Sequence, residues 1–346
     1  MRNHKIKIGN HCIGDGQPCF IIAEIGSNHN RSLKTAKRLI DEAAKAGVDA
    51  VKFQIYSAEK LYSKNVPKHS HYKNNLWEMI KEIETPRIWI PELKKYCDKK
   101  RIIFFATPFD QKAVDELEPY VDLYKISSFE LVDLPLIKYI AKKKKPMIIS
   151  TGLATMEEIN EAYLECLNVR NHNIVFLQCV SAYPASPESI NLSAMQTIKH
   201  AFNVIVGLSD HTLGFHVPVA AVAMGAKIIE KHFTLDKGMK GPDHPFAIEP
   251  KELKEMVSQI RDIEMAMGNG HKSGPRTHEL ENFCIGRRSI HAKMKIPKGS
   301  KIDENMLIIK RPGFGIKPKY LQSVISKKAK RQIDPDAWIT WKMIEK

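Results

Sequence analysis

One stretch of the sequence decides the fold, residues 204–232, and it reads VIVGLSDHTLGFHVPVAAVAMGAKIIEKH. It contains an apolar β-rich run, a helical pattern at Val217–Met224 and then a second apolar run. This order predicts a strand, a helix and a second strand parallel to the first. The runs lead into His211 and His232, so both imidazoles are expected at one rim of a parallel sheet.

The same alternation extends over most of the chain. Short β-rich runs predict eight strands, at Cys19–Glu24, Ala50–Ile55, Ile102–Ala106, Leu123–Ile126, Met147–Ser150, Ile174–Gln178, Val204–Leu208 and Ile228–His232. Helical patterns are at Leu33–Ala46, Pro86–Lys99, Gln111–Leu117, Pro135–Lys143, Met156–Leu167, Ser193–His200, Val217–Met224 and Pro250–Met267. A doubly wound sheet is the competing architecture, but eight regular units over about 250 residues fit a (β/α)8 barrel better. The long connection Lys60–Ile83 is of a kind that usually covers an active site.

The pattern changes near residue 268. We predict a catalytic barrel over 1–267, a polar, glycine-containing linker over 268–284 and a small β-rich domain over 285–346. Short strands are expected there at Ser289–Lys293 and Met306–Lys310. A module of roughly 60 residues has a small core of its own, so we expect it to dock on a barrel.

Composition limits the classes of partner and the compartment. The formal net charge is +15, but the lysines are dispersed and no aromatic–basic motif appears, so we expect no nucleic acid partner. A lysine-rich solvated surface, together with a positive field that concentrates anionic small substrates, fits better. No apolar run approaches the roughly 20 residues of a spanning helix, the N-terminus does not resemble a signal peptide, and the six cysteines form no C-x-x-C pair. We therefore expect a cytoplasmic protein with no membrane partner.

In a barrel the chemistry lies where the strands end, because the βα loops converge there. Lysine is rare in buried strands, and Lys52 and Lys125 lie in two of the predicted ones. Either lysine alone could extend its ammonium group to solvent, and one of them could form a Schiff base, as in an aldolase. Two ammonium groups among hydroxyls suit a ligand with a phosphate and a carboxylate better. The other polar residues at the strand ends are Glu24, Gln54, Thr107, Ser128, Ser150, Gln178, Ser181, Tyr183, Ser209 and Glu230.

The two histidines are a candidate metal site. Two neutral imidazoles with open positions between them can hold a divalent metal, although a lone histidine is more often structural. Polar residues surround the pair in the sequence, namely Ser209, Asp210, Glu230, Lys231 and Asp243. A metal can polarise a carbonyl group, and Glu24, Glu230 or Asp243 could then act as acid or base. The combination fits the condensation of phosphoenolpyruvate with an aldehyde.

The motifs at these positions resemble those of the sialic acid synthase family, including its pseudaminate, legionaminate and spore-coat polysaccharide branches. They are IAEIGSNHN at 22–30, VKFQ at 51–54, GLSDHT at 207–212, EKHFTLDK at 230–237, GPDH at 241–244 and KRPG at 310–313. The resemblance implies a (β/α)8 barrel followed by an antifreeze-like SAF domain, and a homodimer in which one chain's SAF domain caps the partner's barrel. It implies a transferase that joins phosphoenolpyruvate to an open-chain N-acetylhexosamine, with C–O cleavage, for cell-surface glycan biosynthesis.

The resemblance also implies roles for individual residues. His211 and His232 look like ligands of a divalent metal, manganese or alternatively magnesium or cobalt, and Glu24 looks like the group that handles water or a proton. The phosphoenolpyruvate site would comprise Lys52, Thr107, Lys125, Ser128, Ser150 and Ser209. Sugar contacts would come from Gln54, Tyr183 and Asp243. From their places at the predicted strand ends, we also expect Ser181 to bind substrate and Glu230 to be catalytic. Arg311 looks like the arginine that reaches the acetamido group of the partner's substrate.

Two motifs point to different acceptor sugars. SSFE at 127–130 is closer to the pseudaminate and spore-coat branches, whereas GPDH at 241–244 resembles the neuraminate and legionaminate members. The acceptor therefore stays open. Two other functions remain as alternatives: a different phosphoenolpyruvate-dependent aldol-type barrel, which would lack a SAF-like module, and a non-catalytic sugar- or ice-binding SAF protein.

Overall fold

Eight parallel strands dominate the computed structural model, which describes residues 5–65 and 75–345. A hairpin of β1 (Lys5–Ile8) and β2 (His11–Gly14) precedes them. The parallel strands are β3 (Phe20–Gly26), β4 (Ala50–Ile55), β5 (Ile103–Pro108), β6 (Tyr124–Ile126), β7 (Met147–Ser150), β8 (Ile174–Cys179), β9 (Ile205–Asp210) and β10 (Ile228–His232). Their order is β5-β4-β3-β10-β9-β8-β7-β6, and β5 packs beside β6, so the sheet closes on itself. The predicted (β/α)8 barrel is confirmed.

Helices connect the strands. They are α1 (Leu33–Ala46), α2 (Ala58–Leu61), α3 (Leu76–Ile83), α4 (Ile90–Lys100), α5 (Gln111–Leu117), α6 (Leu134–Ala141), α7 (Met156–Asn168), α8 (Ala194–Phe202), α9 (His216–Ala223) and α10 (Pro250–Met267). The sequence signals act locally, as α1 shows: Ser32 accepts a hydrogen bond from the Thr35 amide, and Gly47 ends the helix with a φ of 86°. None of the helices in the described ranges is both long and apolar enough to cross a bilayer.

Two segments differ from the sequence-based expectation. The hairpin β1–β2 was not expected, because its strands are only four residues long and too short to show a clear two-residue period. The connection Lys60–Ile83 contains α3, whose N-cap Asn75 accepts a hydrogen bond from the Trp77 amide. Residues 66–74 of that connection lie outside the described residues.

The chain divides after Gly268 into two compact units. The second unit includes α11 (Leu280–Gly286), β11 (Ser289–Ala292), β12 (Leu307–Lys310) and α12 (Leu321–Val324), and β11 pairs antiparallel with β12. Part of the predicted linker is therefore helical. The unit has its own apolar core, which includes Ile290, Ile302 and Ile339.

Glycine allows a close approach between two of the barrel strands. A Cβ at Gly207 of β9 would lie 2.3 Å from the carbonyl oxygen of Ile228 in β10, so a larger residue would push the strands apart. Lys231 pairs with Asp210 across these strands, and His232 and His211 each follow by one residue. The packing of β9 against β10 thus brings the two histidines together.

Candidate active site

His211 and His232 face each other at the C-terminal ends of β9 and β10, with ring centroids 5.3 Å apart. Two aromatic rings pack around them: Tyr183 is 4.4 Å from His211, and Phe246 is 5.1 Å from His232, again between centroids. His211 is 5 % exposed and His232 is 8 % exposed. The pair predicted from the two strand ends is therefore close together and shielded from bulk water.

The nitrogen atoms of the pair fit a metal. His211 Nδ1 lies 2.7 Å from the carbonyl oxygen of Val180, which can only accept, so Nδ1 carries a proton and Nε2 is the nitrogen left for a ligand. Burial holds the pKa of His232 well below its usual range, and the charges of His211 and Lys52 lower it further, so His232 is a neutral imidazole. Its Nδ1 is buried without a hydrogen-bond partner, 3.5 Å from Asp243 Oδ2.

Two features qualify this fit. Burial alone lowers the pKa of His211, but contact with the Cys179 thiol and the Val180 carbonyl raises it overall, so a metal must compete with a proton. Within residues 5–65 and 75–345, no group of three or more His, Cys, Asp and Glu side chains is placed to hold a metal. Two histidine nitrogens would therefore leave most coordination positions to water or substrate.

Beside the histidines lies a buried cluster of four charged side chains. Lys52 Nζ is 2.6 Å from Glu24 Oε2, and Glu230 Oε1 is 3.7 Å from both Lys52 Nζ and Lys125 Nζ. Each lysine also donates to a hydroxyl, Lys52 to Thr107 at 3.3 Å and Lys125 to Ser150 at 2.7 Å. Since isolated buried charges are costly, this pairing keeps both ammonium groups inside the barrel.

Burial and neighbouring charges shift the proton affinities in this cluster. Burial raises the pKa of Glu24 to about 7, with Lys52 opposing and Glu230 adding to the rise. Burial likewise lowers the pKa of Lys125, while Glu230 opposes that shift. Burial also raises the pKa of Asp243, to about 6. Glu24 and Asp243 can therefore take up or release protons near neutral pH.

Glu24 should make stability pH-dependent. The folded protein holds the Glu24 proton more tightly than the unfolded chain does, so the free energy of unfolding falls as pH rises from the ordinary pKa of 4.5 to about 7. Relative to E24Q, wild type should lose up to about 3 kcal/mol between pH 5 and pH 8, in urea melts of metal-free protein. Glu42, which pairs with Lys45 at the surface, provides the control E42Q, which should follow wild type. An E24Q curve parallel to wild type would contradict the raised pKa.

Hydroxyl groups and a glycine form a second part of the site. Ser128 Oγ accepts a hydrogen bond from the Gly152 amide at 3.0 Å, and Ser181 Oγ is buried without a partner. A Cβ at Gly152 would lie 2.4 Å from Ser181 Oγ and 2.8 Å from Ser128 Oγ. The missing side chain at Gly152 thus lets both hydroxyls approach it, and together they form a small polar cradle that suits oxygen atoms of an anion.

Filling this cradle should weaken anion binding. G152A places a methyl group between Ser128 and Ser181, so the KM for the anionic substrate should rise at least about tenfold. Gly286 in α11 has open space at its Cβ position, and G286A is the matched control. An unchanged KM in folded G152A protein would contradict the assignment of the cradle.

The structure brings most of the predicted residues to the same rim. Gln54 donates to Glu24 Oε1 at 2.6 Å, and Ser209 donates to Glu230 Oε1 at 3.4 Å. Asp243 Oδ2 and Glu24 Oε1 both lie within 3.5 Å of the Cβ position at Gly26, so they are close neighbours. Arg311 follows β12 in the second unit, where it is exposed.

Some residues differ from the strand-end interpretation. Gln178 points away from the site and donates to the Ile190 carbonyl at 2.9 Å, whereas its neighbour Cys179 lies 3.9 Å from His211 Nδ1. Asp210 and Lys231 pair with each other rather than surrounding the histidines, at 2.5 Å. The signal that could have identified Cys179 is the alternation of side chains along a strand. It places Cys179 on the opposite face of the sheet from Gln178.

A closed barrel with ammonium groups, carboxylates and a histidine pair gathered at one rim is typical of an enzyme. The sequence model of the NeuB family matches residues 39–272, and that of the SAF domain matches residues 287–345. The chain belongs to the NeuB family.

Named relatives agree with this assignment. The chain is 44% identical to an uncharacterized protein of Methanocaldococcus jannaschii, over 97% of this chain and 98% of that one. It is 42% identical to the N,N'-diacetyllegionaminic acid synthase of Campylobacter jejuni, over 92% and 98% of the two chains. A crystal structure of the N-acetylneuraminic acid synthetase of Leptospira borgpetersenii superimposes with a TM-score of 0.74 at 37% identity, covering 81% of this chain and 95% of that one. The resemblance to sialic acid synthases is confirmed, and the chain is an enzyme of that family.

Proposed function

We propose that the protein condenses phosphoenolpyruvate with the aldehyde of an open-chain N-acetylhexosamine, giving a nine-carbon 2-keto acid sugar and phosphate. The observation that carries the proposal is the arrangement of two buried ammonium groups and an anion cradle beside a histidine pair. Lys52 and Lys125 approach the same carboxylate, Glu230, from strands β4 and β6 of the barrel. This arrangement suits a substrate with two anionic ends and a reacting carbon between them.

The phosphoenolpyruvate half of the site would be formed by β4 to β9. Lys125 with Ser150, and the cradle of Ser128, Gly152 and Ser181, would bind one anionic end of the substrate. Lys52 and Thr107 would bind the other end. Because these groups are positioned before substrate arrives, they stabilise developing charge without reorganisation.

The sugar half would lie on the histidine side. The ring of Tyr183 packs at a tilt against His211, and Asp243 and Gln54 flank Glu24, so their polar atoms can orient sugar hydroxyls. His211 and His232 would hold a divalent metal, which we propose to be manganese, with magnesium or cobalt as substitutes. When bound, such a metal polarises a carbonyl oxygen.

The proposed reaction forms one carbon–carbon bond and breaks one carbon–oxygen bond. C3 of phosphoenolpyruvate bonds to the aldehyde carbon, whose oxygen takes up a proton and becomes a hydroxyl. Water adds to C2, and the bond from C2 to the bridging oxygen breaks, so phosphate leaves and a keto group remains. Glu24, with its pKa of about 7, would hold or release the proton of that water.

A panel of acceptor sugars tests this proposal. Purified protein with Mn²⁺ and phosphoenolpyruvate should release phosphate only when a suitable aldehyde is present. N-acetylmannosamine, its 6-deoxy-diacetamido relatives and an altrose isomer make up the panel. Because the named relative that is 42% identical is a legionaminic acid synthase, we propose a diacetamido sugar as the best acceptor. Phosphate release without any sugar, or none with the whole panel, would contradict the proposed condensation.

We further propose that the enzyme is a homodimer in which each SAF domain caps the partner's barrel. Apolar side chains are exposed in the loops at the mouth of the barrel: Phe129 is 57% exposed, Val132 62%, Leu153 73% and Leu213 57%. Such a surface favours burial against another protein. The six cysteines are all unpaired, which supports the proposed cytoplasmic location.

Mixed dimers should show whether the site spans two chains. R311A and K125A are each expected to be nearly inactive, yet a one-to-one mixture refolded or co-expressed together should recover about a quarter of wild-type turnover. Half of such dimers are mixed, and one of their two sites is then intact. K125A mixed with E230Q is the matched control, since both changes damage the same barrel. Recovery no greater than in this control would contradict capping by the partner.

A further inference from the structure

A buried ion pair joins the two strands that carry the histidines. Lys231 Nζ lies 2.5 Å from Asp210 Oδ2, and the two side chains are 2 % and 0 % exposed. Asp210 and Lys231 are register partners across the parallel strands β9 and β10. Because successive side chains in a strand point to opposite faces, this pair lies on the helix side of the barrel, behind the site.

The same pair also determines the backbone beyond each strand. Lys231 Nζ donates to the carbonyl oxygen of Thr212 at 2.7 Å. Asp210 Oδ1 accepts from the Thr212 amide at 3.2 Å and from its hydroxyl at 2.9 Å. His211 lies between Asp210 and Thr212, so its backbone is held on both sides by one hydrogen-bonded unit. His232 directly follows Lys231 and shares the same anchor.

We propose that the Asp210–Lys231 pair positions His211 and His232 and thereby sets the affinity of the site for its divalent metal. The proposal rests on the proposed function, in which these histidines bind the metal. Asp210 and Lys231 lie on the face of the strands opposite the histidines, so they would act through the histidines as positioning residues. Hydrogen-bonded groups behind metal ligands commonly control metal affinity through the orientation of those ligands.

A purely stabilising role explains the pair less well. Replacing both partners of a buried ion pair with uncharged residues is often neutral for stability, whereas removing one partner leaves an unpaired buried charge. A geometric role accounts for the location of the pair, one residue before each histidine and directly opposite in register. A geometric role predicts that replacing both residues weakens metal binding more than it impairs folding.

The test measures Mn²⁺ binding to metal-free protein. The electron paramagnetic resonance signal of the Mn²⁺ that stays free in solution is the readout. The variant is Asp210→Asn with Lys231→Met, which removes both charges together. Its Kd for Mn²⁺ should rise about 10- to 100-fold over wild type. The Mn²⁺ concentration for half-maximal turnover should rise in parallel, while turnover at saturating Mn²⁺ falls less.

A matched control lies at the opposite end of the barrel. Asp49 precedes β4 and lies 3.4 Å from Arg261 of α10, and it accepts a hydrogen bond from the Ile21 amide. Asp49→Asn with Arg261→Met should lower the unfolding midpoint but leave the Kd for Mn²⁺ within about twofold of wild type.

The outcomes separate the two proposals. If wild type does not bind Mn²⁺, the metal assignment of the proposed function fails. If wild type binds and the folded double variant binds equally well, the positioning role alone is overturned. Should the double variant not fold, Thr212→Val decides instead, because it removes only the hydroxyl bond to Asp210. A weaker Mn²⁺ affinity of that variant supports the role, and an unchanged affinity overturns it.

Discussion

Replacing Lys125 with alanine is expected to lower kcat/KM for phosphoenolpyruvate by about a thousandfold. The ammonium group is 2.7 Å from Ser150 Oγ and 3.7 Å from Glu230 Oε1, inside a barrel where the side chain is 2 % exposed. Its loss removes a fixed positive charge from the proposed anion site and leaves Glu230 with Lys52 as its close cation. Both effects disfavour binding of a phosphate or carboxylate. Steady-state kinetics with varied phosphoenolpyruvate measure the change.

Two further variants separate charge from folding. K125Q keeps a hydrogen-bond donor without the charge, and it should recover little activity if the charge is what matters. Lys138 on α6 pairs with Glu165 at 3.1 Å and is 47% exposed, so K138A is the matched control and should behave as wild type. A folded K125A enzyme within tenfold of wild type would contradict the anion site.

Removing the metal is expected to have an effect of similar size. Chelator-treated protein should lose at least about a thousandfold in turnover, because polarisation of a carbonyl contributes several kcal/mol, and Mn²⁺ should restore it. Substitution of His232 by glutamine should prevent that restoration at ordinary Mn²⁺ concentrations. The reason is that the imidazole is neutral and buried, and that its Nδ1 has no hydrogen-bond partner.

The control for the histidine is a residue of the same type away from the site. His172 is exposed in the loop before β8, and H172Q should respond to chelation and Mn²⁺ as wild type does. Full turnover of metal-free wild type would contradict the metal role of His211 and His232. Normal Mn²⁺ activation of H232Q would contradict the assignment of that ligand.

The barrel and the rim of its site followed from the sequence for clear physical reasons. Buried parallel strands are short apolar runs, and Ala50–Ile55 and Met147–Ser150 were predicted with the bounds that the structure shows. Lysine inside such runs is unusual, which marked Lys52 and Lys125 before any contact was known. Because the strands of a barrel are parallel, both lysines and both histidines were expected near one rim, and the structure shows them there.

Other features depend on contacts that a pattern does not contain. The hairpin of β1 and β2 has too few residues for a clear period. Cys179 approaches His211 and Gln178 does not, because side chains at the end of the strand point in opposite directions. The same alternation turns Asp210 and Lys231 away from His211 and His232, which follow them directly in the sequence motifs. The cradle at Gly152 arises from two serines on different loops, and only packing reveals it.

Oxygen labelling tests the central claim, phosphoenolpyruvate condensation with C–O cleavage, most directly. The substrate is phosphoenolpyruvate carrying ¹⁸O at the bridging position, incubated with enzyme, Mn²⁺ and the best acceptor of the panel. The account predicts that all of the label appears in phosphate and that the nine-carbon product takes its keto oxygen from water. Label retained in the sugar product, or phosphate released without any carbon–carbon bond, would contradict it.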